Sequence, residues 1–424
     1  MEIHVDKPVS MADSKLEIFV SGLPPKGRLK LQATMSVPWA KSVEFGSEAE
    51  FTADENGTVD LSKQAPASGD YQEASSMGLI TSMRFVSGTL SEFAENISAD
   101  GSIIIDLRAE CGPATAEVQI KRLLSSPDVK TERITEPFVG AFYYSENPGN
   151  KTVLLLGGSG GKLCVNLPMA SLLASHGFNV LTIAYFSEPG LPKELVNIPL
   201  EYFDAVFDWL AANPYTKGKD LYLHCTSKGG ELGLLLASQR PVIKKVAAFA
   251  PHAYCFQGVS FTKHASSWTR KNRELPYIRL QFRTLYADML GCFIRNKPFG
   301  YTHTHVMGLK RAHNKDEARI RVEGAKADFL LFSGKQCNMW NAYDGCVAIM
   351  GALDQVGYTY GFEHIAYEDA GEPFYVPYII PESIRLSVKI APRLSLAMGG
   401  TLQGNTEAVI DSWERMLEFF EPDI

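Results

Sequence analysis

The spacing of apolar residues changes part-way along this sequence, and that change constrains the fold more than any other feature. From Leu16 to about Lys121, short runs of alternating apolar and polar residues are separated by Gly, Pro and Asn-Gly turns, as in LEIFV, RLKLQATM and TAEVQIKRL. A period of two with frequent turns is typical of a β-sandwich. We therefore expect an immunoglobulin-like sandwich over residues 1–135.

After Lys151, continuous apolar runs alternate with segments of helical spacing. The apolar runs are TVLLL, NVLTIA, LYLHC, VAAFA, DFLLFS and EHIAY. This alternation predicts a mostly parallel sheet with helices on both faces, so residues 136–424 are expected to form an α/β domain. Within it, basic and aromatic residues interrupt the apolar runs over 251–327, which indicates an inserted cap or long loop.

Composition excludes several classes of protein. The chain of 424 residues is 45% hydrophobic and carries a formal net charge of −7, with no stripe of Lys and Arg that would attract nucleic acid. Seven cysteines scattered along a long chain do not form the disulfide framework of a small secreted domain. No apolar run has the length of a signal peptide core or a membrane span, so we expect a cytoplasmic protein.

The segment LYLHCTSKGG, which begins at Leu221, predicts an apolar strand that turns sharply into a helix. It resembles the nucleophile elbow G-x-S-x-G, in which small neighbours let the serine hydroxyl project from the turn. Ser227 is then the candidate nucleophile, with Gly229 at the downstream small position and Cys225 in place of the upstream Gly. The helix that begins at Lys228 offers its first backbone N–H to an oxyanion.

A glycine loop, GGSGG at 157–161, follows an earlier strand. In folds with a nucleophile elbow the second oxyanion donor lies in such a loop, so Ser159 and Gly160 are candidates. The alternative is an ordinary tight turn. A phosphate-binding loop is excluded because Leu156 and Leu163 stand where Gly and Ser or Thr are required, and no G-x-G-x-x-G can be drawn through the loop. No cofactor is expected.

Several stretches together resemble the acyl-CoA thioesterase / bile acid-CoA:amino acid N-acyltransferase family. They are LGGSGGKL, HGFNVLTIAYF, TSKGGELGL and GGTLQGNTEAVIDSWERMLEFF, with FTADENGTVDLSKQAPASGDY in the first domain. The resemblance implies an α/β-hydrolase domain behind an immunoglobulin-like sandwich, which cleaves acyl-CoA thioesters with a Ser or Cys nucleophile, a His base and an Asp. It assigns Ser227 to the nucleophile, and Lys228, Ser159 and Gly160 to the oxyanion amides.

The chain departs from the family's pattern at the other two triad positions. The family's acid lies in G-x-D-D-x-x-W, and the corresponding stretch, 334–340, is GKQCNMW, with Cys337 at the expected Asp. The family's His ends Y-x-x-x-G-H, and the corresponding stretch, 367–372, is YEDAGE, with Glu372 at the expected His. The two changes are consistent with each other, because an acid that orients an imidazole has no task once the imidazole is gone.

Three residues are candidate substitutes for the missing base. His252 follows VAAFAP, so it should lie at the carboxyl end of the strand beside the elbow. Glu372 is the second candidate, as a base acting on a water that attacks the thioester directly. The weakest is Lys228, because adjacent residues at the start of a helix do not face each other. His303 and His305, in YTHTHVMG, are expected to share one face of a strand, but two ligands do not make a metal site and no metal is expected.

These observations leave three functional hypotheses. The first is an acyl-CoA thioester hydrolase in which Ser227 attacks the thioester carbonyl. The second is a family member that binds acyl-CoA or lipid without efficient turnover. The third is an acyl-CoA:amino acid N-acyltransferase. Acyl-CoA is the expected small-molecule substrate or ligand in each case, whereas acyl chain length and oligomeric state are not predicted.

Overall fold

The computed structural model describes residues 1–145, 151–260, 262–372 and 374–421. The chain forms two compact units, the first of residues 1–127 and 376–385, the second of residues 128–375 and 386–424. The structure thus divides the chain before β11 (Lys130–Ile134), since this strand belongs to the sheet of the second unit, whereas the boundary predicted from the sequence lies at 135/136.

The first unit is β-rich. Its strands are β1 (Glu2–Val5), β2 (Val9–Met11), β3 (Ile18–Ser21), β4 (Arg28–Ser36), β5 (Glu44–Thr52), β6 (Val59–Asp60), β7 (Ser68–Gly69), β8 (Arg84–Ser87), β9 (Ser102–Cys111) and β10 (Ala114–Leu123). One sheet has the order β1-β3-β6 and the other β2-β10-β9-β4-β5-β7, with β8 paired to β5. Two short helices, α1 (Gly78–Thr81) and α2 (Leu90–Glu95), and a 3-10 turn at Glu382–Arg385 complete the unit.

The second unit is built on an eight-stranded sheet. Its strands are β11, β12 (Val139–Tyr144), β13 (Thr152–Leu156), β14 (Asn179–Ala184), β16 (Leu221–Thr226), β17 (Ile243–Phe249), β20 (Asp328–Gly334) and β21 (Phe362–Tyr367). The order is β11-β12-β14-β13-β16-β17-β20-β21. The pairs formed by β12 are antiparallel and all later pairs are parallel.

The remaining elements of this unit are helices and small sheets. The helices are α3 (Leu167–Ser175), α4 (Glu201–Ala212), α5 (Lys228–Gln239), α6 (Phe282–Arg295), α7 (Thr302–Arg311), α8 (Lys315–Ala318), α9 (Ala342–Gln355) and α10 (Leu402–Phe420), with 3-10 turns at Leu163–Asn166 and Val322–Gly324. The small sheets contain β15 (Ile198–Pro199), β18 (Trp268–Arg270) and β19 (Arg273–Glu274), and β22 (Ser387–Ala391) with β23 (Leu394–Ala397).

Apolar runs form the centre of the large sheet. All of β13 and β14 is buried, because helices cover both faces of parallel strands. The central strand β16 lies between β13 and β17, and its carboxyl end leads directly into α5. A sheet of this order, with an antiparallel second strand and a crossover helix after each parallel strand, is that of an α/β hydrolase. The predicted fold class, an α/β-hydrolase domain after a β-rich domain, is confirmed.

The segment predicted as a cap lies between β17 and β20 and contains β18, β19 and α6 to α8. The strand predicted for His303 and His305 is wrong, because both residues lie in α7, where residues two apart do not share a face. His303 is exposed and contacts Asp288, whereas His305 is half-buried and contacts the carbonyl of Tyr301. Within the described residues, no cluster of three potential metal ligands exists. None of the described helices is both long enough and apolar enough to span a bilayer.

Candidate active site

Ser227 lies in a strained turn between β16 and α5. Its backbone has φ 54° and ψ −119°. Residues other than glycine rarely adopt this conformation, which costs about 1–3 kcal/mol. The Ser227 N–H donates to the carbonyl of Phe249 at 2.8 Å, which fixes the turn to the neighbouring strand. The hydroxyl makes no hydrogen bond to any described residue and the side chain is partly exposed. Such a hydroxyl is available to a ligand.

Small residues on α5 allow the turn to close. A Cβ on Gly229 would lie 2.4 Å from the carbonyl oxygen of Gly157, so only glycine fits there. A Cβ on Gly233 would lie 2.6 Å from the sulfur of Cys225. Gly233 therefore provides the space that Cys225 occupies where the elbow motif normally has glycine. Cys225 at the first Gly of G-x-S-x-G is thus accommodated because Gly233, in the second turn of α5, has no side chain.

The glycine loop after β13 contacts the elbow. Gly158 packs on Ser227, because a Cβ on Gly158 would lie 3.3 Å from the Ser227 Cβ. Ser159 and Gly160, the two residues named from the sequence, are exposed at the tip of the same loop. On the other side of Ser227, Lys228 is the first residue of α5, so its N–H has no intrahelical acceptor. Backbone N–H groups of the loop and of the helix therefore flank Ser227.

A buried ion pair lies directly behind the elbow. The Lys228 ammonium donates to Glu231 at 2.7 Å and to the carbonyl of Phe256 at 3.2 Å. Glu231 is fully buried and also accepts from the Trp268 indole at 2.6 Å and from the Phe256 N–H at 3.0 Å. Burial raises the pKa of Glu231, and the Lys228 charge opposes that shift. The network anchors the first turn of α5, whose backbone flanks Ser227.

The two residues at the altered triad positions contact each other. The Cys337 thiol donates to the Glu372 carboxylate at 3.6 Å. Burial, and then the Glu372 charge, raises the pKa of Cys337, so the thiol stays protonated near neutral pH. Cys337 is therefore a neutral donor to Glu372 and not a thiolate nucleophile. The pair has the connectivity that an Asp and a His have in a hydrolase triad, with different chemistry.

The loops that carry this pair cross closely. A Cβ on Gly334 would lie 2.0 Å from the carbonyl oxygen of Gly371, so the end of β20 and the loop after β21 approach at backbone distance. Asn405, in the first turn of α10, accepts from the Gly371 N–H at 2.9 Å and donates to the Gly399 carbonyl at 3.2 Å. Asn405 is buried and fixes the backbone next to Glu372.

A chain of contacts connects the Glu372 loop with the elbow. The carbonyl of Phe249 accepts the Ser227 N–H, and the Phe249 ring lies 5.7 Å from that of Phe374. Phe374 comes two residues after Glu372 and also packs near Phe332, at the end of β20. The loop that carries Glu372 therefore lies at the same carboxyl edge of the sheet as Ser227.

His252 is part of an aromatic cluster instead. Its ring centroid lies 4.8 Å from that of Phe256 and 5.6 Å from that of Trp340, and its Nδ1 accepts from the Tyr254 N–H at 3.3 Å. Burial, together with the charges of its surroundings, lowers the pKa of His252 to about 3. No hydrogen bond joins His252 to Ser227. A buried imidazole with such a low pKa is a weak base, so the structure gives no support to His252 as the substitute base.

Three other histidines of the second unit have contacts away from Ser227. His224 stacks on Phe249 inside β16, and burial lowers its pKa to about 3. The His305 ring contacts the carbonyl of Tyr301, and burial lowers its pKa to about 4. His364 contacts the Ser333 hydroxyl at 2.8 Å. Among the residues that the structure describes, no histidine forms a hydrogen bond with Ser227.

Sequence reasoning missed three residues of this site. Gly158 is the loop residue in contact with Ser227, Glu231 neutralises the ammonium behind the elbow, and Asn405 holds the Glu372 loop. The spacing of Lys228 and Glu231, one helical turn apart, was a usable signal for the ion pair. Gly158 and Asn405 carried no such signal, because their contacts come from distant parts of the chain.

A serine in a strained strand-to-helix turn, beside a glycine loop, at the carboxyl edge of a mostly parallel sheet defines an α/β hydrolase with a nucleophile elbow. Family models agree with the whole architecture. Residues 13–136 match the acyl-CoA thioester hydrolase/BAAT N-terminal region and residues 198–424 match the BAAT / acyl-CoA thioester hydrolase C-terminal region. The chain therefore belongs to the BAAT / acyl-CoA thioester hydrolase family.

Relatives named as N-acyltransferases and relatives named as thioesterases both align along nearly the whole chain. Acyl-coenzyme A amino acid N-acyltransferase 2 of Rattus norvegicus is 32% identical, covering 97% of this chain and 95% of its own. Acyl-coenzyme A amino acid N-acyltransferase 1 of Mus musculus is 27% identical, with the same coverage. Acyl-coenzyme A thioesterase 6 of Homo sapiens is 25% identical, covering 96% of this chain and 93% of its own.

Proposed function

We propose that this protein hydrolyses acyl-CoA thioesters, with Ser227 as the nucleophile and Glu372 as the proton acceptor. The observation that carries the proposal is the strained backbone of Ser227, with φ 54° and a hydroxyl that has no hydrogen-bond partner among the described residues. Strain of this kind persists where the surrounding structure holds it, and it is concentrated at functional sites. The names of the thioesterase relatives support the choice of substrate.

In the first half-reaction, the Ser227 oxygen attacks the thioester carbonyl and its proton passes to the Glu372 carboxylate. The N–H of Lys228 and N–H groups of the Gly158–Gly160 loop bind the oxyanion. The carbon–sulfur bond then breaks, and the CoA sulfur leaves with the proton held by Glu372. The product is an acyl ester on Ser227.

In the second half-reaction, a water molecule attacks the acyl ester and gives its proton to Glu372. The bond between the acyl carbon and the Ser227 oxygen breaks, and the serine recovers its proton from Glu372. A free carboxylic acid is released, and the enzyme returns to its starting state. Cys337 remains a neutral thiol throughout and acts only by hydrogen bonding to Glu372.

The chemistry of a thioester makes a carboxylate base acceptable. A thiol has a pKa of about 8.5, so CoA is a good leaving group without the strong protonation that an amine needs. A carboxylate is nevertheless a weaker base than imidazole, and the best general base has a pKa near the operating pH. We therefore expect slower turnover than in relatives with the full triad. A cytoplasmic location, as predicted from the sequence, suits this substrate and stays a prediction.

A second candidate function is the binding of acyl-CoA without turnover. It is favoured by one observation, that no histidine forms a hydrogen bond with Ser227 in the described part of the chain. Loss of the base costs roughly 10⁶ in kcat in a well-studied serine protease, which would leave little hydrolysis. N-acyl transfer, which the names of two relatives suggest, differs from hydrolysis only in the acceptor that attacks the acyl ester.

Release of free CoA from saturated acyl-CoAs of several chain lengths tests the proposal. Purified full-length protein should release CoA, and Ser227→Ala should abolish the release. Ser238→Ala, at the other end of α5, is the matched control and should keep wild-type activity. Turnover that survives Ser227→Ala contradicts the proposal and favours direct attack by water.

Two further readouts separate the other hypotheses. Saturable acyl-CoA binding with no CoA release by the wild-type protein would establish the binding function and overturn hydrolysis. Addition of glycine as an acceptor, with analysis of the products, distinguishes N-acyl transfer: an N-acyl amino acid in place of the free acid would show that water is not the acceptor.

A further inference from the structure

Helix α6 exposes a row of large apolar side chains. The row consists of Tyr286, Leu290, Phe293 and Ile294, which are 62%, 61%, 45% and 73% exposed. Their spacing of three, four and eight residues places all four on one side of the helix, which we call the α6 apolar face. Most other exposed large apolar residues of the described chain are isolated valines on separate elements. A contiguous apolar face on a soluble unit marks an interaction surface.

Basic residues flank this face at both ends. Arg283 precedes Tyr286 by one helical turn, Arg295 follows Ile294, and Lys297 lies just beyond the end of α6. All three are exposed, and none forms an ion pair with a described residue. The carboxylate of α6, Asp288, is in contact with His303 instead, at 2.9 Å. The basic side chains therefore remain available to anionic groups.

The charge of the surrounding segment has the opposite sign to that of the whole chain. Residues 251–327 contain fourteen Lys and Arg and five Asp and Glu, a formal charge of +9, whereas the chain as a whole carries −7. The segment 282–311, which spans α6 and α7, has five basic residues and one acidic residue. Positive charge is therefore concentrated around the α6 apolar face.

We propose that α6 is an interfacial helix that docks on an anionic phospholipid surface. An amphipathic helix of this kind lies in the plane of the interface, with its apolar side chains among the acyl chains and its Lys and Arg at the headgroups. Basic residues near an anionic surface add electrostatic attraction, and the buried apolar area supplies the rest of the affinity. The excess of basic residues around the face complements anionic headgroups, and this complementarity favours a lipid surface as the occupant. The proposal is independent of the proposed hydrolysis, since lipid binding is measured without acyl-CoA.

Sedimentation with extruded vesicles tests the proposal. The full-length protein should bind vesicles of phosphatidylcholine and phosphatidylserine, and should bind vesicles of phosphatidylcholine alone much more weakly. Binding should weaken as salt is raised, because headgroup charges are screened. No binding to either kind of vesicle at low salt overturns the proposal.

Variants separate the apolar and the basic contributions. Leu290→Ser with Ile294→Ser should reduce affinity on the order of 100-fold, because two exposed side chains no longer enter the lipid. Arg283→Ser with Lys297→Ser should reduce it roughly 30-fold. Val242→Ser with Val356→Ser is the matched control, since these valines are 49% and 57% exposed outside the 251–327 segment, and it should bind as the wild type does.

Two controls keep the result interpretable. All variants replace exposed side chains, so their thermal unfolding should match that of the wild type, and circular dichroism checks this. The molar mass in solution tests the alternative that the α6 apolar face binds a second copy of the chain. A dimer that dissociates in the Leu290→Ser, Ile294→Ser variant, together with wild-type affinity of that variant for vesicles, contradicts the proposal and assigns the face to self-association.

Discussion

The two halves of the candidate site differ in how far they depart from the family's pattern. The elbow half keeps its serine, its glycines and its helix start, and its one substitution, Cys225, is accommodated by Gly233. In the proton-acceptor half the loops cross closely at Gly334 and Gly371, but Cys337 and Glu372 stand where the resemblance implies an Asp and a His. In this half of the site, the close approach of the two loops therefore does not require an Asp and a His side chain.

The difference teaches that these loops can approach closely with a Cys and a Glu at the positions where the resemblance implies an Asp and a His. The Cys337–Glu372 contact and the support from Asn405 hold the same connection between strand ends. If the account is correct, changes at the elbow half should act on stability and on the nucleophile, whereas changes at the other half should act on proton transfer.

The largest expected effect is acid destabilisation through the histidines around the elbow. Burial lowers the pKa of His224, His252 and His305 to about 3, 3 and 4, while the unfolded chain takes up these protons near pH 6.5. The unfolded state therefore binds more protons, and the free energy of unfolding falls as pH decreases below about 6.5. The slope should approach about 4 kcal/mol per pH unit from the three histidines.

Urea unfolding between pH 7 and pH 4.5 measures this slope. His224→Phe keeps the stacking on Phe249 and should remove about a third of the pH dependence. A slope that is unchanged in His224→Phe would contradict the contribution assigned to that imidazole.

The second prediction compares two ion pairs, one in each half of the site. Glu231→Gln leaves the buried Lys228 ammonium without its anion and should destabilise the protein by about 3–5 kcal/mol. Glu368→Gln removes the partner of Lys335 in the exposed loop, and there the cost should stay below about 1 kcal/mol. Chemical unfolding at pH 7 measures both. An equal decrease in the free energy of unfolding in the two variants would contradict the claim that burial makes the loss of an ion-pair partner costly.

The third prediction restores the side chains of the altered half. Cys337→Asp with Glu372→His should raise the rate of CoA release on the order of 100-fold, because an oriented imidazole is a better base than a carboxylate near neutral pH. Glu372→His alone should gain less, since the imidazole then lacks the acid that orients it. A double variant slower than the wild type would show that the two loops no longer present these positions to Ser227.

The smallest expected effect separates strain from chemistry at Ser227. Ser227→Gly should stabilise the protein by about 1 kcal/mol, because glycine adopts φ 54° without strain, although it also gains entropy when unfolded. Ser227→Ala should leave stability almost unchanged, since alanine has the same backbone strain. Differential scanning calorimetry of the two inactive variants measures the difference in stability. If Ser227→Gly is less stable than Ser227→Ala, the claim that the backbone of Ser227 is strained is wrong.

Much of this architecture could be predicted from the sequence, because it depends on local patterns. The continuous runs TVLLL and NVLTIA became β13 and β14 with the predicted bounds, and the elbow at Ser227 followed from a short motif. The helix over His303 and His305 could not be predicted from a run of alternating polar residues, because tertiary packing overrides such a weak pattern. Contacts between distant residues, such as Asn405 with Gly371, had no local signature at all.

The rate of CoA release in a single turnover, measured for wild type and Glu372→Gln across pH 5 to 9, tests most directly whether Glu372 accepts the Ser227 proton. The account predicts a loss of about 10²-fold to 10⁴-fold in Glu372→Gln, because the serine proton then has no acceptor. Glu368→Gln, which changes a carboxylate of the same loop, should retain the wild-type rate and profile. A Glu372→Gln variant that releases CoA at the wild-type rate would contradict the central claim.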